Sequence, residues 1–327
     1  MNVYIVGAGA VGTYLGEELR RIGNSVTFAP RDSAAAEPVD VDLAIVAVKS
    51  YDTDSAIATL RRALRGPGAA AIVTPQNGVG NEEKLAAAFG ADNIVAAALT
   101  IPVGRDREGQ GVAASSSGGI VFAPAGTTNA HNWLLAAFGA TGIPVSAVVD
   151  YRSLKWSKLA LNVVANASCA ILNVLPERLV HLNDVFSLEV RGIREVRAVM
   201  KALGIATIDL PRYPVRALHG VASLPAPFAR MVLANRIAGA RGSKPPSLLL
   251  DLRAAKNRTE VDVLNGAVAA AARSAGVAAP VNTVFARVVS DIANMPQLWA
   301  KYRERPDALE AEVSAEVART RRAFASV

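Results

Sequence analysis

The chain of 327 residues contains one cysteine, Cys169. It has no partner for an internal disulfide, and a single thiolate cannot build a zinc cage. The three histidines, His131, His181 and His219, lie far apart and give no metal-ligand spacing. Aromatic residues make up only 5% of the chain, so stacking platforms for single-stranded nucleic acid are scarce. Lys and Arg number 35 against 28 Asp and Glu, a formal charge of +7. These cations are dispersed rather than grouped in a stripe, which argues against a nucleic-acid groove. No segment supplies the roughly 20 consecutive apolar residues of a spanning helix. The least charged stretch, Gly109 to Val149, is cut by Ser115-Ser116-Ser117-Gly118-Gly119, Pro124, Gly126 and Gly142. The start, Met1-Asn2-Val3-Tyr4-Ile5-Val6, lacks a basic segment and runs directly into glycines, unlike a signal peptide. These absences lead to the expectation of a soluble cytoplasmic protein with no metal, membrane or nucleic-acid partner.

What is present is an Ala/Val/Leu-rich chain, 51% hydrophobic, long enough for two domains. Short β-rich runs alternate with helical patterns in the first part. Val3 to Val6, Ser25 to Ala29, Asp42 to Val48, Ala70 to Thr74, Ile94 to Leu99 and Ile120 to Ala123 read as strands. Val11 to Ile22 and Ala58 to Leu64 read as helices. Nearly continuous apolar strands suit a sheet covered on both faces. The alternation predicts an α/β fold, a Rossmann-type doubly wound parallel sheet over residues 1–150. From Tyr151 the pattern is helical and is broken only at prolines, which predicts an all-α domain over 151–327. Near the end Leu309, Val313 and Val317 recur every four residues, an amphipathic helix suited to packing or to self-association in a homodimer.

The loop Gly7-Ala8-Gly9-Ala10-Val11-Gly12 follows the first strand and opens the first helix, the context of a dinucleotide fingerprint. Gly7 permits the tight turn, Gly9 the approach of a pyrophosphate to the backbone, and Gly12 the packing of helix on sheet. Arg31 ends the second strand, where NAD-binding domains usually carry an acid for the ribose 2′-hydroxyl. A cation there suits the 2′-phosphate of NADP, and Lys49 after the third strand offers a second charge. The alternative is two surface cations, with Asp32 serving as the acid. Gln76-Asn77-Gly78 follows the fourth strand, in a position to place Asn77 beside a nicotinamide, although on spacing alone Asn-Gly reads as a turn.

Lys158, Asn162 and Asn166 are four apart and would form one polar stripe on a continuous helix. Burial among Leu159 to Ala167 would lower a lysine pKa toward the range of proton transfer. A helix end emerging into solvent accounts for the same residues, and spacing alone leaves both readings open. Asn257 and Glu260 have capping-box-like spacing, the stronger reading from spacing alone, and Ser247 after Pro245-Pro246 reads as a helix cap.

Together these segments resemble the ketopantoate reductase (2-dehydropantoate 2-reductase) family over about residues 1 to 292. The resemblance rests on the glycine loop, Gln76-Asn77-Gly78, Lys158-x-x-x-Asn162-x-x-x-Asn166, Ser247 through Asp251, Thr259-Glu260-Val261-Asp262 with Asn265-Gly266, and Gly276 through Asn282. It implies NADPH as cofactor and a 2-oxo acid as substrate, with ketopantoate reduced to pantoate in pantothenate biosynthesis. By this resemblance Arg31 and Lys49 match cations near the 2′-phosphate, and Asn77 the residue at the cofactor–substrate junction. Lys158 matches the catalytic lysine and Glu260 an acid at the substrate hydroxyl. Asn162, Asn166 and Ser247 match residues that hold the 2-oxo acid. The resemblance thus overrides the turn and capping readings for Asn77 and Glu260.

Three features depart from the family pattern. The Arg31–Asp42 connection is short, so the adenine side of the sheet is expected to lack an element. Pro176 stands where an asparagine is common, and Gly242-Ser243-Lys244 brings a lysine near Ser247. Two other functions fit the residues: a reductase of another 2-oxo acid, and a non-catalytic NADP-binding redox regulator.

Overall fold

The structure, a computed structural model, describes residues 1–66, 70–127, 132–241 and 244–325. His131, Gly242 and Ser243 lie outside the described residues. The chain divides into two compact units, Met1–Lys158 with Ile208–Pro214, and Leu159–Thr207 with Val215–Val327.

The first unit carries strands β1 (Asn2–Val6), β2 (Ser25–Phe28), β3 (Leu43–Val46), β4 (Ala71–Thr74), β5 (Ile94–Leu99), β6 (Val103–Arg105), β7 (Gly111–Ala113), β8 (Ile120–Pro124) and β9 (Val145–Ala147). Its helices are α1 (Ala10–Arg21), α2 (Thr53–Ala63), α3 (Asn81–Phe89) and α4 (Asn132–Gly139), and α5 (Tyr151–Asn162) begins here. Seven strands form one sheet in the order β2-β1-β3-β4-β5-β8-β9. The β2 to β5 block is parallel, as the apolar runs predict. β8 departs from that expectation by pairing antiparallel to β5, and β9 then pairs parallel to β8.

Alternation along β1 and β3 explains the two covered faces. Val3, Ile5, Leu43 and Ile45 join Leu15 and Leu19 of α1 and Leu134 and Phe138 of α4 in one core. Tyr4, Val6, Ala44 and Val46 join Ala56 and Leu60 of α2 and Leu85 of α3 in the other. A period of two sends successive side chains to opposite faces, so each apolar strand feeds both cores. Between β2 and β3 the crossover holds only a 3₁₀ turn, Ser33–Ala35, and β2 is the edge strand. The short connection read from the sequence thus leaves neither an α-helix nor a strand between β2 and β3.

The second unit is helical: α6 (Ala167–Leu172), α7 (Pro176–Leu179), α8 (Asn183–Ala202), α9 (Val215–Ala222), α10 (Ala226–Arg241), α11 (Ser247–Arg253), α12 (Asn265–Ser274), α13 (Pro280–Asn294), α14 (Trp299–Tyr302) and α15 (Pro306–Ala325). α13 is central, packed by α6, α8, α12 and α15. The buried Glu195 carboxylate of α8 accepts the Val281 and Asn282 N–H groups, satisfying donors that the start of α13 leaves open. Leu309 and Val313 of α15 are fully buried, so this apolar stripe packs within its own unit. No helix among the described residues is long and apolar enough to cross a membrane.

Candidate active site

In the first unit the sequence-predicted residues collect at the carboxyl ends of neighbouring parallel strands. Arg31 follows β2, the glycine loop follows β1, Lys49 follows β3 and Asn77 follows β4. Loops at this edge of an open α/β sheet line its ligand crevice.

Each glycine of the loop has its own reason. Gly7 has φ +114°, and a Cβ there would stand 2.7 Å from the Ala47 backbone. A Cβ on Gly12 would stand 2.0 Å from the Gly7 carbonyl oxygen. Those two are required by the fold. Gly9 is different: its Cβ would approach nothing among the described residues closer than 3.9 Å. Its missing side chain leaves open ground in front of α1, whose N-terminus has no side-chain cap and no acid in its first turn. Free N–H groups and the positive end of the helix dipole suit a phosphate there. Arg105 of the β6–β7 hairpin adds a cation to this loop, donating to the Ala8 carbonyl at 2.7 Å. The hairpin is anchored by the Gly111 N–H donating to Thr13 Oγ1 at 2.7 Å. Arg105 escaped the sequence reading because neither three-residue strand of its hairpin has enough length to show a period.

Arg31 and Asp32 are both exposed. Asp32 Oδ1 accepts the Ala34 N–H at 2.9 Å, closing the 3₁₀ turn with its own carboxylate. β2 ends at Phe28, so Arg31 stands in the loop three residues beyond it rather than at the strand end. Lys49 is half-buried and precedes Ser50, whose hydroxyl donates to the Asn77 carbonyl at 3.2 Å. Asn81 Nδ2 reaches the same carbonyl at 3.2 Å. Gln76 is buried, with its amide donating to Val48 O and Thr53 Oγ1 and accepting from Thr74 Oγ1. This network fixes the loop backbone through Gln76 and the Asn77 carbonyl, while the Asn77 side chain stands at an exposed position. The Asn-Gly turn and a ligand-facing Asn77 are therefore compatible: Gly78 turns at φ +82°.

α5 starts on Asp150, whose carboxylate accepts the Arg152 and Ser153 N–H groups. Lys158 is half-buried on this helix, with Nζ 5.9 Å from the Tyr213 ring centroid, within cation–π reach. The segment carrying Tyr213 is tied to the same helix by the Ile208 N–H donating to Ser157 Oγ at 2.9 Å. The deeply buried lysine is Lys155, 2% exposed. Its Nζ lies 2.9 Å from Oε1 of Glu82 and donates to the carbonyls of Gln76 and Ala97, at 2.5 and 3.5 Å. Burial pushes the Glu82 carboxyl up, and the Lys155 ammonium draws it back down. Sequence reasoning missed this pair; Lys155 sits in the buried run Leu154 to Ser157, and Glu82 is the second residue of α3.

In the second unit the continuous polar stripe is corrected. α5 ends at Asn162, and Ala165 takes a left-handed φ of +48°, a costly conformation for a residue with a Cβ. Its N–H is donated to the buried Glu189 carboxylate at 2.7 Å instead of continuing the helical ladder. Asn166 is thus the residue before α6, not one more turn of α5. Its side chain nevertheless folds back: Nδ2 donates to the Asn162 carbonyl at 3.1 Å, and Oδ1 accepts the Leu248 N–H at 3.2 Å. These two bonds bring Asn162, Asn166 and the first turn of α11, where Ser247 stands exposed, to one place. Pro246 occupies the cap position before Ser247, so the capping reading of Ser247 does not hold.

Glu260, 5% exposed, opens the 3₁₀ turn Glu260–Val263, packed on α12 and α13. Thr259, not Asn257, caps this turn by accepting the Val261 N–H at 3.4 Å. Pro176 is the buried first residue of α7, a position that favours proline because its missing N–H is not needed there.

Two family models match the chain, "Ketopantoate reductase PanE/ApbA" over residues 29–126 and "Ketopantoate reductase PanE/ApbA C terminal" over residues 150–293. The chain is 29% identical over 280 residues to a 2-dehydropantoate 2-reductase of Halobacterium salinarum, covering 84% of this chain and 83% of that one. It is 30% identical over 260 residues to the protein of the same name from Pyrobaculum aerophilum, with 79% of each chain covered. The crystal structure of a PanE/ApbA family ketopantoate reductase from Ralstonia eutropha JMP134 superposes with a TM-score of 0.75 at 28% identity. That match covers 91% of this chain and all (100%) of the other.

Proposed function

The chain belongs to the ketopantoate reductase family, and from that premise we propose that it reduces 2-dehydropantoate to pantoate with NADPH, in cytoplasmic pantothenate biosynthesis. Residues 1–150 would bind the cofactor and 151–327 the substrate. The observation that carries this reading is the set of strand ends in the first unit. An open Gly9, an uncapped helix and two cations, Arg31 and Lys49, lie at adjacent carboxyl termini.

Residues Gly7 to Gly12 would hold the pyrophosphate against the start of α1, and Arg31 with Lys49 would face the 2′-phosphate. The two cations favour NADPH over NADH, while Asp32 gives one carboxylate oxygen to the Ala34 N–H. Asn77 would stand beside the nicotinamide. When bound, the cofactor supplies a hydride to the ketone carbon. The Lys158 ammonium donates a proton to the oxygen as it gains negative charge, so neutral alcohol is formed rather than free alkoxide. Asn162, Asn166 and Ser247 orient the carboxylate and carbonyl, and Glu260 accepts from the substrate hydroxyl.

NADPH oxidation with a panel of small 2-oxo acids tests this directly, ketopantoate being expected to give the highest kcat/KM. Lys158→Ala is expected to lower kcat by at least about 10²-fold, the scale of general acid catalysis; near wild-type turnover would refute the role. Arg31→Glu should raise KM for NADPH far more than for NADH, and equal rises would remove the 2′-phosphate argument. One observation favours a second substrate reading: Lys244 is exposed three positions before Ser247. That cation suits a more acidic 2-oxo acid, which the same panel would reveal as the preferred substrate.

A further inference from the structure

We propose that Lys155, held in place by Glu82, is a positioning residue that locks the Asn77 loop to the helix carrying Lys158. This rests on the reading of Asn77 and Lys158 as site residues.

The Lys155 ammonium is ion-paired with Glu82, Nζ to Oε1 2.9 Å, and donates to the Gln76 carbonyl at 2.5 Å and the Ala97 carbonyl at 3.5 Å. Gln76 directly precedes Asn77, and Ala97 lies within β5. One side chain of α5 therefore bonds to the end of the β4 loop and to the neighbouring strand. Lys158 follows three residues later on the same helical face, about 4.5 Å along the axis. A shift of α5 against the sheet would move Lys158 and Asn77 relative to each other; the Lys155 ammonium opposes it, together with the Tyr151 hydroxyl, which donates to Glu83 at 3.3 Å.

The pair is an expensive way to pack this space. Both side chains are almost wholly shielded, 3% and 1% exposed, and neither carboxylate oxygen of Glu82 has a well-aligned hydrogen-bond donor among the described residues. Well-packed apolar residues in place of a buried ion pair are often equally stable. Two features lower the cost without removing it. Glu82 lies in the first turn of α3, where the helix dipole favours an anion. Gln76 is already braced by Thr53, Thr74 and Val48, so its carbonyl is offered at a fixed place. What an apolar pair cannot supply is a donor to the two carbonyls.

The test replaces the pair rather than breaking it. Lys155→Met with Glu82→Leu removes both charges and is expected to unfold within about 3 °C of wild type, as apolar replacements of buried pairs permit. Its kcat with ketopantoate should fall at least about 30-fold, within the range a misplacement near 1 Å can cause, while KM for NADPH changes less than about 3-fold. Amide hydrogen exchange over residues 76–82 should be faster. Glu82→Gln breaks the ion pair and lowers stability, but the Lys155 amine, charged or neutral, still has the two N–H bonds that meet the two carbonyls, so loop protection should be retained and less than about 3-fold lost in kcat. It keeps the test decisive if the double variant does not fold, because a loss of kcat as large as 30-fold there overturns the role assigned to the ammonium. A stable double variant with wild-type kcat and unchanged loop exchange overturns the proposal. If wild type reduces no 2-oxo acid but the double variant exchanges faster over 76–82, the assigned reaction fails and the tie between loop and helix stands.

Discussion

Replacing Asn166 by alanine separates two roles that the sequence cannot tell apart. The side chain is 4% exposed and already holds two backbone groups, donating to the Asn162 carbonyl and accepting from the Leu248 N–H. Alanine removes both bonds in a site where water has little access. A lost bond that leaves a buried group unsatisfied costs about 1–3 kcal/mol, and about 2–4 kcal/mol for the pair of bonds is the expected loss. The amide has one donor and one acceptor site left over, so a direct bond to substrate is compatible with this structural task. Urea unfolding measures the first effect, with an unchanged m-value showing that only stability moved. Steady-state kinetics measure the second: loosening the start of α11 displaces Ser247, so KM for the 2-oxo acid should rise about 10-fold, the equivalent of about 1.4 kcal/mol. A loss below about 0.5 kcal/mol in Asn166→Ala, together with a large rise in KM, would refute the argument. Asn166 would then act on substrate without bracing α11.

Glu195 gives stability an unusual pH dependence. Burial lifts its carboxyl to about 7, against the pull of the Asn282 and Val281 N–H groups and the Asn282 side chain. The native state then holds a proton that the unfolded chain, near 4.5, has released, so this contribution is present below about 4.5 and lost as pH rises through 7. The shift corresponds to roughly 3 kcal/mol at most, and Glu195→Gln should flatten the decline in unfolding free energy between pH 5 and 8; parallel curves for the two proteins would reject it. Glu312 has the opposite sign. Hydrogen bonds from Lys301 and Arg287 hold its carboxyl down to about 2, so its contribution is present above about 4.5 and lost as pH falls through 2. Both cations are well exposed, which limits the effect to about 1 kcal/mol; Glu312→Gln should cost that much at pH 7 and nothing at pH 2, as read by chemical denaturation. At the glycine loop, Gly9→Ala should leave the apo protein as stable as wild type and weaken NADPH binding at least about 10-fold, equivalent to about 1.4 kcal/mol, whereas Gly12→Ala should also destabilise the fold. Wild-type NADPH affinity in Gly9→Ala, measured by fluorescence titration, would contradict the assigned role of that residue.

The parallel core of the sheet was legible because buried strands leave a strong local signal. Val3 to Val6, Asp42 to Val48 and Ala70 to Thr74 each feed two apolar faces, and few other structures tolerate such runs. The β6–β7 hairpin and β9 have three residues each, too short for any period to stand out. The antiparallel turn of β8 is a property of pairing, and nothing within Ile120 to Ala123 encodes direction. The start of α2 at Thr53, earlier than expected, was hidden because its first residues, Thr-Asp-Ser, carry the polar pattern of a helix terminus rather than an apolar stripe.

The site shows where spacing stops being sufficient. Lys158, Asn162 and Asn166 have helical spacing, but the backbone between the last two is decided by Glu189, a residue distant in sequence that takes the Ala165 N–H. Spacing correctly associated the two asparagines and gave the wrong geometry for the association. Burial stayed undecided along the chain for a similar reason. A lysine flanked by Trp156 and Leu154 and one flanked by Leu159 look alike along the chain, and only the tertiary placement of Glu82 makes the first of them the buried ammonium. Burial thus falls on the lysine that braces the loop, while the lysine proposed as proton donor keeps partial contact with water and an aromatic neighbour. That division of labour suits the proposed reaction. A proton donor must be reprotonated after every turnover, which partial exposure of Lys158 permits, whereas a brace performs best when water cannot compete for its carbonyls.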